Sequence, residues 1–128
     1  MATPRQQEPA RRETTTLISA DKVEGTSVKN RKGDKLGSID TVMIDKYSGR
    51  IAYAVMSFGG FLGIGDRYHP LPWGVLEYEP TESAYVVDID KAVLEKAPSL
   101  ARDEYAAMQD RDWGETVYRY YNVPPYWM

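Results

Sequence analysis

One histidine, His69, and a scatter of carboxylates are the residues of this chain best suited to proton or metal chemistry. An imidazole titrates near neutrality and acts as acid, base or ligand once a second group orients it. His69 sits between Tyr68 and Pro70 in a strand-forming stretch, with no serine or carboxylate constellation identifiable around it. With one histidine and no cysteine, neither a three-histidine site nor a thiolate site can form within the chain. Asp40, Asp45, Asp66, Asp88 and Asp90 offer oxygen ligands, and Asp88 and Asp90 share one strand face. A calcium loop needs closely spaced ligands around a central glycine, which none of these acids provides. Solvated strand edges and helix caps account for them. The expectation is a structural histidine, no metal, no cofactor and no enzymatic activity.

A second group of residues points to contacts instead of catalysis. The run Phe58-Gly-Gly-Phe-Leu-Gly-Ile-Gly65 is rich in glycine, as phosphate-binding loops are, but no Gly-Lys-Ser/Thr follows it. No helix begins after Gly65, so no helix N-terminus is available to hold an anion. The run therefore reads as a loop between strands. Its Phe58, Phe61, Leu62 and Ile64 either fold over a barrel mouth or form an exposed patch for a partner or a membrane surface. Both readings stand at the level of sequence. The last third of the chain is aromatic, and Trp113, Tyr121 and Trp127 are placed on the barrel or on a second subunit, where aromatic rings dominate contact energetics. These seven residues form the candidate partner contact.

The elements that position these residues follow from periodicity and turn chemistry. Ser19 to Val23 makes a single helical turn ended by Gly25, and Thr26 to Val28 extends into the turn Asn30 to Gly33. Lys35 to Asp45 is a long strand with imperfect alternation. Ile39 and Met43 fall on one face and Leu36, Val42 and Ile44 on the other, so apolar partners meet both faces or a bulge shifts the register near Gly37. After the turn Lys46 to Arg50, Ile51 to Phe58 is the strongest strand. Tyr68 to Trp73 and Val75 to Tyr78 continue the β pattern, and Pro70 and Pro72 suit edge or corner positions. Tyr85 to Asp90 alternates, with Tyr85, Val87 and Ile89 inward. Helices are expected over Lys91 to Lys96, from Ser99 through Met108, and from Asp112, where Trp113, Val117 and Tyr121 make one amphipathic stripe.

Composition bounds the remainder. The 128 residues suit one domain plus appendages, able to bury a core without metal or disulfide. A formal net charge of −3 argues against nonspecific binding to nucleic acid, which depends on Lys and Arg neutralising phosphates. No run approaches the length needed to cross a bilayer, and the polar start of the chain lacks the apolar segment of a secretory signal, so a cytoplasmic location is expected. The division is a disordered polar tail over 1–16, a β-barrel domain over 17–98, and a helical, aromatic-rich extension over 99–128.

Taken in order, the Asn30 to Gly33 turn, the Leu36-Gly37 step, the Asp45 to Gly49 turn, the Phe58 to Gly65 loop and Leu71-Pro72-Trp73 resemble the PRC-barrel family. The tail, with Asp110-Arg-Asp-Trp113, Tyr120-Tyr121 and Pro124-Pro-Tyr-Trp127, looks like the extension on stand-alone bacterial members. The resemblance implies a mainly β fold, a small and strongly bent antiparallel barrel with a short helical C-terminal extension. It implies a non-catalytic module for protein contacts and assembly, with a protein partner and no cofactor. A narrower alternative is a soluble accessory protein related to the photosynthetic reaction centre H subunit, acting beside a membrane electron-transfer complex with peripheral membrane association. Barrel edges with aromatic surface tend to find a mate, so a homodimer is expected.

Overall fold

The computed structural model describes residues 13–58 and 67–128. A helical turn, α1 (Ala20–Val23), leads into three successive antiparallel strands, β1 (Ser27–Asn30), β2 (Lys35–Ile44) and β3 (Ile51–Phe58). Strand β4 (Arg67–Leu71) pairs with β3, and a 3-10 turn at Trp73–Val75 precedes the hairpin of β5 (Glu77–Glu79) and β6 (Ala84–Val87). Helix α2 (Lys91–Glu95), a 3-10 helix at Arg102–Gln109 and helix α3 (Arg111–Tyr120) complete the chain. The sheet order is β4-β3-β2-β1-β6-β5. Every pairing is antiparallel except β1 with β6, which is parallel.

One expectation is corrected here, and the closure of the barrel stays open. The sheet is mixed rather than wholly antiparallel, because β6 returns beside β1 in the same direction and pairs Val28 with Tyr85. Strand pairing among the described residues also leaves the sheet open, with β4 and β5 at its ends. Edge β4 carries Pro70, which needs no ladder partner for a missing N–H, as its sequence position predicts. That edge is partly satisfied by Leu100, which exchanges two backbone hydrogen bonds with Tyr68 (2.9 and 2.8 Å).

Bulges resolve the imperfect alternation of β2. Lys29 pairs with Lys35 and Val28 with Gly37, so Leu36 is an extra residue opposite β1, at the step expected to shift. Ile39 pairs with Met56 and Thr41 with Val55, which makes Asp40 a second extra residue opposite β3. The result brings Leu36, Ile39 and Val42 to one apolar cluster although their sequence parity differs, and sends Met43 to the other. A third shift makes Ala52 the extra residue of β3 and turns it to the side of Tyr53. Gly37 is the residue this geometry demands. A Cβ there would run into the backbone carbonyl oxygen of Ser57 on the neighbouring strand.

The inner cluster joins Val28, Leu36, Ile39, Ala54, Met56, Leu71, Tyr85, Val87 and Leu94. Beyond the opposite face of β3 lies a second cluster, in which Tyr53, Val55 and Tyr68 meet Leu100, Met108, Val117 and Tyr118 of the C-terminal segment. β3 is therefore buried on both faces, which explains its near-continuous apolar sequence. The expected continuous strand over Val75 to Tyr78 is shortened by the 3-10 turn, since Pro72 directs the chain into a corner. The segment from Ser99 forms 3-10 rather than α-helix, with the Glu104 carboxylate accepting from the Ala101 N–H (2.7 Å). Glu13 to Thr16, assigned to the tail, fold back. Glu13 holds Lys22 at 2.5 Å, and this contact, together with Tyr78, keeps its carboxyl below the usual range.

Candidate interaction surface

The C-terminal extension converts one sheet face from surface to interior. Asp110 caps α3 by accepting from the Asp112 N–H (2.9 Å). The helix ends where Asn122 takes a left-handed conformation (φ 60°), which turns the chain back toward the sheet. Tyr126 and Trp127 then return to Tyr118, with ring centroids 6.2 and 5.9 Å away, and Tyr126 also packs edge-on to Tyr53. The buried stripe of α3 is centred on Gly114, Val117 and Tyr118, one position round from the Trp113, Val117, Tyr121 stripe expected from spacing. Gly114 moves the centre, because its missing side chain lets Tyr53 approach. A Cβ built there would lie 2.5 Å from the Tyr53 hydroxyl.

Polar groups tie the extension down at its rim. Arg102 donates to the Tyr68 hydroxyl (2.5 Å) and lies 4.5 Å over its ring, while reaching Asp40 at 3.4 Å. Tyr105 donates to the other Asp40 oxygen (3.1 Å). Asp40 is the bulged residue of β2, so the bulge delivers the carboxylate that both groups bind. Tyr118 donates to the Ala52 carbonyl, and Arg50 donates to the carbonyls of Tyr126 (2.9 Å) and Met128 (3.3 Å). Desolvation raises the phenol of Tyr53 to about 12, so it stays protonated, and its hydroxyl has no hydrogen-bond partner among the described residues.

The predicted contact residues divide into three groups. Phe61, Leu62 and Ile64 lie outside the described residues. Phe58 is a core residue, 8% exposed, packed edge-on to His69 at 5.3 Å on a strand buried on both faces. Trp113, Tyr121 and Trp127 are half-buried and pack against the outer cluster. His69 is 2% exposed, and burial, reinforced by the Arg67 charge, lowers its pKa to about 4. Among the described residues no group of three histidine or carboxylate side chains gathers into a metal site.

The exposed apolar side chains lie elsewhere. Tyr47, at the tip of the β2–β3 turn, is 97% exposed, and Ile44 beside it 52%. They border a cleft of about 390 Å³ whose walls include Met43, Tyr105, Met108 and Tyr126. A smaller cleft, about 230 Å³, lies between the segment Glu13 to Ile18 and Trp73, Tyr78 and Tyr85. Tyr47 was visible in the sequence as an aromatic residue in a Lys-Tyr-Ser-Gly turn, where solvent exposure is the default. The apolar wall that faces it comes from far along the chain and gave no local signal.

A mixed six-stranded sheet with a helical extension across one face defines a small mainly β domain. The sequence profile of the PRC-barrel domain matches residues 16–94, and the chain belongs to that family. Among solved structures, the chain is similar to a protein described as a 16S ribosomal RNA processing protein, RimM, from Pseudomonas aeruginosa, with 23% identity and a TM-score of 0.40. That match covers 70% of this chain and 50% of the other, so this chain spans about half the length of that protein. No curated protein matches the sequence. No helix among the described residues is long and apolar enough to cross a membrane.

Proposed function

We propose that this chain is a non-catalytic protein-interaction and assembly module of the PRC-barrel type. The observation that carries the reading is the exposed apolar face of Ile44 and Tyr47 beside a cleft, on a domain whose other large aromatic side chains are mostly engaged internally. The one histidine supports a structural role, being packed against Phe58 and held neutral by burial. A protein partner is favoured over nucleic acid. Three basic residues of the β1–β2 hairpin are matched by acids, Lys29 with Glu82, Arg31 with Glu77 and Asp88, and Lys32 with Asp90, at 2.8 to 3.7 Å. Closure of the sheet into the family's barrel belongs to the same proposal. Action beside a membrane electron-transfer complex rests on family resemblance alone, and we do not propose it.

The test is capture of partners from the native cell by the full chain, followed by reconstitution with the purified partner. A saturable complex with protein, abolished by substitutions on one apolar surface, is the expected result. Absence of any reconstituted protein complex, for the wild type and for a Phe61→Ser, Leu62→Ser double variant alike, overturns the reading.

A further inference from the structure

We infer that the extension beyond Leu100 is a lid on the outer face of β3, pivoting just after Leu100 and opening as one unit while the sheet stays folded. The device belongs to this chain alone and is independent of which partner the interaction module takes.

The main chain marks where the lid begins. Leu100 is held to the sheet by its two backbone hydrogen bonds with Tyr68 (2.9 and 2.8 Å). Among the described residues, no backbone-to-backbone hydrogen bond joins residues 101–128 to any strand. Their backbone groups bond within the extension instead, as where the Gly114 N–H donates to Asp110 (2.9 Å) and the Val123 N–H to Tyr118 (3.1 Å). Lifting the extension therefore breaks no ladder bond. It breaks side-chain fastenings: Arg102 and Tyr105 on Asp40, Tyr118 on the Ala52 carbonyl, Tyr120 on the Val93 carbonyl and Arg50 on the Tyr126 carbonyl.

The seam under the lid is incompletely satisfied. Tyr53 and Tyr121, both packed in the outer cluster, have buried hydroxyls without a hydrogen-bond partner among the described residues. Closing the lid takes those hydroxyls out of water with no bond in return. A cleft of about 390 Å³ separates Met43 and Ala52 on the sheet side from Tyr105, Met108 and Tyr126 on the lid side, so the layers do not meet along that flank. Opening returns the hydroxyls to water and offsets part of the cost of exposing Ala52, Tyr53 and Val55. A ten-residue helix is marginal in water without a partner, so α3 loses its own protection when it leaves the sheet. The open state presents the apolar outer face of β3, which the closed protein hides.

Native-state hydrogen exchange of the full chain, followed residue by residue by NMR at denaturant concentrations below the unfolding transition, tests the lid. The amides of Val117 and Tyr118 in α3 are expected to share one opening, with an equilibrium constant about 100-fold or more above that of Ala54 and Val55 in β3 and a smaller, non-zero denaturant slope. Leu100, on the sheet side of the pivot, is expected to exchange with β3. Ile39→Val, a conservative change in the inner cluster, loses its packing only when the sheet unfolds. It should raise the exchange of Ala54 and Val55 about fivefold and leave Val117 and Tyr118 unchanged. Equal opening constants and slopes for α3 and β3 in the wild type, or an Ile39→Val variant that speeds all four amides alike, overturn the lid. A zero slope for Val117 and Tyr118 overturns it too, since it reports fraying within the helix alone. None of these outcomes bears on the interaction module, which the reconstitution test decides.

Discussion

The two apolar clusters on either side of β3 are built differently. The inner one is mainly aliphatic, drawn chiefly from β1, β2, β3, β4 and β6, and all its buried residues but Ala97 lie within the stretch matched by the family. Half of the outer one, partly buried members included, is aromatic, and most of it comes from residues beyond 99, outside that stretch. Strands that pair with one another present many small contacts at fixed spacing, so aliphatic side chains fill the space between them. A short 3-10 helix and a single ten-residue α-helix must cover a sheet face with few residues, and rings supply the most area per residue. The difference teaches that the extension is a second layer rather than a tail. Apart from the buried bond from Tyr118 to the Ala52 carbonyl, its polar fastenings lie at the rim.

The largest test of this division removes the hinge of the outer layer. Tyr53→Ala deletes a ring, 1% exposed, that meets Trp113, Tyr118 and Tyr126, and is expected to cost about 4 kcal/mol in chemical denaturation. An unchanged midpoint would mean that the extension adds nothing to the fold.

The inner region is sharpened by acid. His69 has its folded pKa lowered to about 4 from 6.5, so the unfolded chain binds its proton first as pH falls. The stability from keeping it neutral is complete above about pH 6.5 and is lost progressively toward pH 4, a change of about 3 kcal/mol that His69→Phe should remove. The comparison is the slope of unfolding free energy against pH in the two proteins; equal slopes through that window would place the histidine elsewhere than in the core.

Gly114→Ala comes next. Helix propensity favours alanine by about 1 kcal/mol, but the new methyl meets the Tyr53 hydroxyl, and the net expectation is a loss of about 1–2 kcal/mol by thermal melting. A stabilised variant would show that the outer layer shifts freely on the sheet. The smallest effects form a contrasting pair. Tyr118→Phe removes a donor to the Ala52 carbonyl and should cost about 1 kcal/mol, whereas Tyr53→Phe deletes a buried hydroxyl without a partner among the described residues and should be neutral or slightly stabilising. Equal losses in the two would make the hydroxyls interchangeable, contrary to their surroundings.

The strands were legible because their signals are local. Ile51 to Phe58 was expected and found with the same ends, and the bulge beside Gly37 was announced by a glycine where alternation fails. The parallel pairing of β1 with β6 was not legible, since neither strand's pattern states which neighbour it takes. The same limit governs the surface. Phe58 has the residue type of a contact and sits in the core, while Tyr47 stands exposed at the tip of a turn. Residue type reports what a side chain can do, and only tertiary packing decides which side chains remain available to do it.

The bond between β1 and β6 also sets an order of events during synthesis. β1, β2 and β3 form a meander whose contacts are near in sequence, and they can close as soon as they leave the ribosome. The second edge of β1 must wait for β6, and the outer face of β3 for α3, so the nascent chain carries an unsatisfied strand until β6 emerges and a bare apolar face until α3 follows it. The chain is therefore most open to premature association while it is still being made, and the segment from Leu100 through Tyr118 is what ends that interval.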